Sequence, residues 1–231
     1  MRVVYGLTLA AGLAVIAPVG AQMQDMAKAV AGGGISVAGW MGKVDANEEK
    51  AGMTVNSAKF MAAPGGFHIT TGPAITYWNP KNMASGNYTV KATFAEPKFS
   101  GLNSHPHPYG IVIAGNDMGG PNMNLVYCAA YGNGTFIVRG FGPMAFQVSA
   151  RRPEANGAIK KVAVGEPVTQ EIAMSVKGDK IECAVNGTTV GSYDKAAVVT
   201  AGKLTSTDGV YGLRFGHNTE AVVTGLALSK N

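Results

Sequence analysis

His105-Pro106-His107 is the local arrangement best suited to chemistry in this chain. Residues two apart on an extended run project to one side. Both imidazoles could therefore grip one metal ion, with His68 or His217 as a third ligand. With four histidines, and no Cys or carboxylate at ligand spacing, the spacing favours a proline-stiffened surface loop, and no metal is expected. Asn116, Asp117, Asn122 and Asn124 could offer oxygens to calcium, but Gly/Asn/Asp clusters usually build turns.

Carboxylates that act as a pair on one bond must share a face, which on a strand means alternate positions. Glu48-Glu49 is adjacent, and Glu171, Asp179 and Glu182 fall near turns or on the outer side of a strand. No catalytic set is therefore assigned. Gly34 to Ala38 contains a Ser but lacks the final Gly of a nucleophile elbow. No Walker-type loop or dinucleotide fingerprint occurs, and no cofactor is expected. Sugar recognition needs aromatic faces beside planar hydrogen-bonding groups. The candidate ligand-binding residues are Trp78, His105, His107, Tyr109, Arg139, Arg214 and His217, with Tyr127 and Tyr131 as further aromatics. Arg139 and Arg214 each interrupt an apolar strand, so each must face a groove or pair with an acid.

The elements that would position these groups are strands. Leu125 to Tyr131 and Thr135 to Arg139 flank Asn133-Gly134, a pairing that predicts a hairpin with a type I′ turn. Tyr109 to Gly115 reads as a buried strand before it. Tyr88, Val90, Ala92 and Phe94 alternate with polar residues, the period of a half-buried strand. Ala74 to Trp78 is a strand that Asn79-Pro80 is expected to break. A three-strand meander follows from Ile172 to Ser192, and Val210–Gly216 and Val222–Leu228 close the chain. Residues 141–167 form a long excursion with one short strand at Ala145–Val148. About a dozen short strands with frequent turns predict a two-sheet antiparallel β-sandwich of jelly-roll type.

With 231 residues, 46% of them hydrophobic and 14% charged, the chain can bury a sizeable core, and no linker divides it. The formal charge of +5 is a mild excess without a dense basic stripe, so nucleic acid is not an expected partner. Residues 1–21 have the pattern of a signal peptide: Arg2, an apolar run from Leu7 to Ile16, and small residues ending at Ala21, before Gln22. The mature protein is expected to be exported to the periplasm or the extracellular space, with no membrane span. Residues 22–39 read as a flexible N-terminal arm, with a short helix allowed over Gln22 to Ala31, and residues 40–231 as the sandwich. Oxidising conditions permit a disulfide between Cys128 and Cys183. Stacked sheets lie about 10 Å apart, so a bridge needs neighbouring strands or a pinched sandwich. Two small buried thiols remain the alternative.

From about Trp40 onward the chain resembles the concanavalin A-like lectin/glucanase superfamily. The residues that carry this are Gly86 to Phe94, Tyr109 to Ile113, Gly132-Asn133-Gly134 with its strands, Lys180 to Gly187, and Gly209 to Arg214. A Thr71-Gly72-Pro73 and Tyr77–Pro80 element is similar to one in a set of exported bacterial proteins neighbouring the 3-keto-disaccharide hydrolase-like domains. The resemblance implies a concanavalin A-like fold and a glycan as the partner. Its glucanases carry a Glu-x-Asp-x-Glu triplet or a close variant, which is missing here. The leading expectation is a noncatalytic module binding carbohydrate or another surface ligand. The alternatives are a glycoside-processing hydrolase and an interaction module with no small ligand.

Overall fold

The computed structural model describes residues 27–101 and 107–231. The expected signal peptide and His105 lie outside these residues. Among the described residues, sixteen strands build the fold. In order they are β1 (Gly34–Ile35), β2 (Met41–Val44), β3 (Lys59–Ala63), β4 (Gly66–Thr70), β5 (Ile75–Ala84), β6 (Tyr88–Glu96), β7 (Tyr109–Asn116) and β8 (Asn124–Tyr131). There follow β9 (Thr135–Phe141), β10 (Phe146–Gln147), β11 (Glu154–Ala155), β12 (Val168–Lys177), β13 (Lys180–Val185), β14 (Thr188–Asp194), β15 (Gly209–Phe215) and β16 (Glu220–Lys230). Two short helices, α1 (Ala46–Lys50) and α2 (Lys195–Val198), interrupt them. Among the described residues no helix is long and apolar enough to cross a membrane.

Sheet A has the order β1-β3-β4-β16-β6-β12-β13-β14, and sheet B the order β10-β9-β8-β7-β15-β5-β2, with β11 also on β9. Among the described residues only β1 on β3 is parallel. The two sheets press together as a β-sandwich, because each central strand carries a large apolar residue at every second position. Tyr88, Val90, Ala92 and Phe94 of β6 face Ile111, Ile113, Cys128 and Val138 of sheet B in one buried core.

Several local expectations change. The arm is tied down from Lys28, whose N–H donates to the Asn218 side chain at 3.0 Å; Val30 N–H donates to the Ser57 carbonyl at 3.0 Å. The helix allowed over Gln22 to Ala31 begins outside the described residues, and residues 27–31 are not helical. Strand β5 is not broken at Pro80. It runs on to Ala84 and gives way locally, where pairing with β15 slips between Trp78 and Met83. Pro lacks the N–H a central ladder needs, so it sits in this bulged stretch. In the β8–β9 hairpin Tyr131 pairs with Thr135, leaving a three-residue loop in which Gly134, not Asn133, takes positive φ. The type I′ geometry occurs instead at Asn186-Gly187, with φ of 51° and 82°.

Cys128 of β8 and Cys183 of β13 form a disulfide that joins the two sheets, with Cα atoms 6.0 Å apart. This is the pinched-sandwich alternative, since neither strand is the other's neighbour.

The core has one polar corner. Glu96, Gln170 and Tyr109 point inward at one end, and Glu96 is only 2% exposed. The Tyr109 hydroxyl nears both partners without hydrogen-bonding geometry. Burial pushes the Glu96 pKa up to about 7, against opposing pulls from the Ser100 backbone N–H and Tyr109. The folded value lies above the unfolded one, so the native state binds more protons between the two. Stability is therefore full below about pH 4.5 and is lost as pH rises through about 7, by about 3 kcal/mol. Thermal melts of the wild type should show this decline between pH 5 and 8, and Glu96→Gln should flatten it. A Glu96→Gln profile that falls as steeply as the parent's would locate the titration elsewhere.

Candidate functional site

Cross-strand partners share a face, so register alone identifies the outer surface of sheet B. One row reads Met41, Trp78, Gly212, Val112, Tyr127, Arg139 across β2, β5, β15, β7, β8 and β9. The adjacent row reads Lys43, Thr76, Arg214, Gly110, Ala129, Ile137. Val112, Leu125, Tyr127, Ala129, Tyr131 and Ile137 form a second apolar cluster here, with Met118, Met123 and Phe141 packed on it.

Arg214 organises this face. Its guanidinium donates through Nη1 and Nη2 to the two oxygens of Asp45, at 2.6 Å for the Nη1–Oδ1 pair, and through Nη1 to Thr76 Oγ1 at 3.3 Å. It lies 5.3 Å from the Tyr127 ring centre and 5.1 Å from that of Phe141, a cation–π geometry. Burial alone would lower the Arg214 pKa, but the Asp45 carboxylate outweighs it and the net direction is upward. Asp45 stands at the N-cap of α1, where Asp ordinarily accepts a first-turn N–H. No such side-chain bond forms, because both oxygens are held by Arg214.

Next to it, Glu48 accepts the Ala74 N–H at 2.6 Å through one oxygen and lies 3.3 Å from His217 Nδ1 through the other. The His107 and His217 rings meet edge to face at 4.5 Å. Arg139 is half-buried and donates through Nη2 to the Arg151 carbonyl at 2.9 Å. Its Nε is buried without an acceptor. Burial pushes the Tyr131 hydroxyl up to about 12, against the fields of Arg139 and Arg214.

A groove runs along the β2 side of this face. One chamber of about 250 Å³ is lined by Lys43, Asp45, Thr76, Met123 and Phe141. A second of about 480 Å³ is lined by Met41, Lys43, Asn56, Trp78 and Gly119. The 117–123 loop forms the opposite wall. Asp117 holds it closed by accepting the Asn122 N–H at 2.7 Å, and a side chain at Gly119 would start 3.5 Å from the Trp78 ring. Asn116 and Asn124 are likewise spent on the backbone carbonyls of Asp208 and Asn122, the turn role expected of such clusters. Another depression, of about 370 Å³, lies at the sandwich edge around Lys180, Tyr193 and Lys203. Its lysines are already engaged by Asp194 and the Ala197 carbonyl, and it offers no cluster of aromatic faces.

Of the residues singled out in the sequence, the structure brings Trp78, Arg139 and Arg214 to this face. His107 and His217 pair at its margin. Tyr109 is a correction: it points into the core, stacked on Phe94 at 5.2 Å, and drops out of the candidate set. His68 is bound to Glu220 at 2.8 Å on sheet A, away from the other histidines. Sequence reasoning missed Lys43, Asp45, Thr76 and Phe141. The one available signal was Arg214 itself, since a guanidinium inside an apolar strand requires an acid.

No family model and no curated protein sequence matches the chain. Solved structures share its fold. A carbohydrate binding module, CBM66, from Bacillus subtilis superposes with a TM-score of 0.54 at 12% identity, covering 84% of this chain and 98% of its own. An endo-beta-1,3-glucanase from Pyrococcus furiosus gives 0.53 at 15% identity over 87% and 91%. A Bacillus subtilis protein of unknown function with a galectin-like fold gives 0.53 at 10% identity over 83% and 89%. At these identities the likeness is one of fold.

Proposed function

We propose that this protein binds a glycan in the groove on the outer face of sheet B and does not cleave it. The observation that carries this reading is the state of the carboxylates around the groove: Glu49 lines the second chamber, and the two acidic residues beside it in α1 and at its cap are already engaged. Both oxygens of Asp45 are held by Arg214, and those of Glu48 by the Ala74 N–H and His217. A glycosidase needs two carboxyl groups free to meet one bond. What the groove does offer is a ring at Phe141, with Trp78 in the floor, beside the hydrogen-bonding groups of Lys43 and Asn56. That combination suits a sugar ring with its apolar face and hydroxyl rim. The shared fold with a carbohydrate binding module supports the same reading.

The proposal includes export. The 1–21 segment and a disulfide between the sheets both suit an oxidising compartment. A glycan-array screen of the chain from Gln22 tests the reading, with Phe141→Ala as the matched variant. The parent should retain at least one glycan class, and Phe141→Ala should weaken that binding roughly ten-fold, the worth of one stacked ring. An array with no retained glycan would remove the reading.

One observation favours hydrolysis as the second reading. The His107–His217 pair beside Glu48 could move a proton at the groove's margin. Turnover of chromogenic glycosides that His217→Ala abolishes would put it first.

A further inference from the structure

The outer faces of the two sheets differ in charge. On sheet A two lysines are matched across strands, Lys91 with Glu171 and Lys177 with Glu182, each at 2.9 Å. On sheet B the two central rows carry Lys43, Arg139 and Arg214 and no strand carboxylate. Asp45 enters from the end of β2 and offsets Arg214 alone. Lys43, which shares its chamber with Glu49, and Arg139 stand one at each margin, with aromatic rings between them.

Arg139 is the more informative of the two. One carbonyl, that of Arg151, accepts from its Nη2, while its Nε–H is buried with nothing to receive it. Nη1, by contrast, meets no acceptor among the described residues and is not shut from solvent, so a bound group can complete the guanidinium there. Two positions along the same face of β9 stands Phe141, which lines the groove. Arg214 shows what a guanidinium on this surface donates to, namely a carboxylate through two parallel bonds.

We infer that the ligand is an acidic glycan, a chain of uronic acids, with one of its carboxylates on Arg139 and another near Lys43. This rests on the glycan reading above and adds the class of sugar. The spacing makes the ligand a chain. Lys43 on β2 and Arg139 on β9 are five strand spacings apart, about 24 Å at 4.8 Å each, beyond the reach of a monosaccharide. A free anion meets one cation only, and a neutral glycan gains nothing from the other.

Titration calorimetry of the full chain tests this, with hexamers of galacturonate, mannuronate and glucuronate, each beside its methyl ester. Esterification keeps the shape of the chain and removes the charge. At least one acid is expected to bind ten-fold or more tighter than its ester, with affinity falling steeply between 50 mM and 500 mM salt. The matching monosaccharide and inorganic sulfate should bind far more weakly. Arg139→Gln should bring acid and ester to within about two-fold while melting like the parent. Should that variant not fold, the acid-to-ester ratio and the salt dependence of the parent decide. Equal affinity for acid and ester, or retention of neutral glycans only, overturns the acidic class and leaves the glycan reading standing. No binding to any glycan overturns both.

Discussion

A Cys128→Ala/Cys183→Ala double variant is expected to melt roughly 10 °C below the parent, at about 2–4 °C per kcal/mol for a domain of this size. The bridge closes a span of 55 residues, and in the chain-entropy account such a cross-link is worth about 4 kcal/mol by restricting the unfolded chain. Its position adds a second effect. Ladder hydrogen bonds hold each sheet together along its own plane, whereas one sheet is held to the other chiefly by side-chain packing and this bridge. Cys128 sits in the row of Ile111 and Val138, and Cys183 pairs with Met174, all in the shared core. Cutting the bridge therefore leaves intact strands whose faces can separate more easily. Alanine is the right replacement, because a serine would bury an unmet hydroxyl. Adding a reductant to the parent should reproduce the shift, and the double variant should not respond to reductant at all. A parent whose melting is indifferent to reductant would mean that the bridge is not formed in solution.

The disulfide also shows where sequence reasoning reaches its limit. Alternation placed Cys183 inward with Ile181 and Val185, and the structure agrees. Whether an inward Cys meets its partner depends on how closely two sheets approach, and that distance is set by every side chain in the interface. Period-2 patterns were legible for the same reason throughout: Tyr88, Val90, Ala92 and Phe94 must face one way whatever the partner strand is. Pro80 misled because a missing N–H can be absorbed by a bulge as well as by a strand end. Tyr109 misled because an aromatic face suits a sugar as well as a core, and its ring is stacked on Phe94 inside the sandwich. The site was legible on one side only. Arg139 and Arg214 stood out as charges within apolar strands. Asp45 did not, because it sits 169 positions from Arg214 and looks locally like an ordinary helix cap.

Asp45→Ala is expected to destabilise the fold by about 3–4 kcal/mol, because it strands a guanidinium that cannot lose its charge. The Arg214 side chain is 7% exposed, and after the change only Thr76 Oγ1 and two ring faces remain to meet it. Adding Arg214→Met should recover most of that loss, since the thioether chain fills the space beside Tyr127 and Phe141 and needs no partner. The double-mutant cycle should then give a coupling energy of about 2–3 kcal/mol, read from urea unfolding of all four proteins. Simple additivity would show that the pair contributes nothing jointly and that Arg214 finds other acceptors. The same four proteins separate stability from binding. If the ion pair serves only to hold Phe141, Thr76 and the start of α1 around the groove, the Asp45→Ala/Arg214→Met protein should fold well and still bind glycan, with affinity lowered by misplacement of the ring. If Arg214 itself meets the ligand, binding should be lost in both Arg214 variants while Asp45→Ala, once folded, binds an acidic chain more tightly. The geometry favours the first outcome, because Asp45 already occupies both terminal nitrogens of Arg214, whereas Arg139 still has a donor to give.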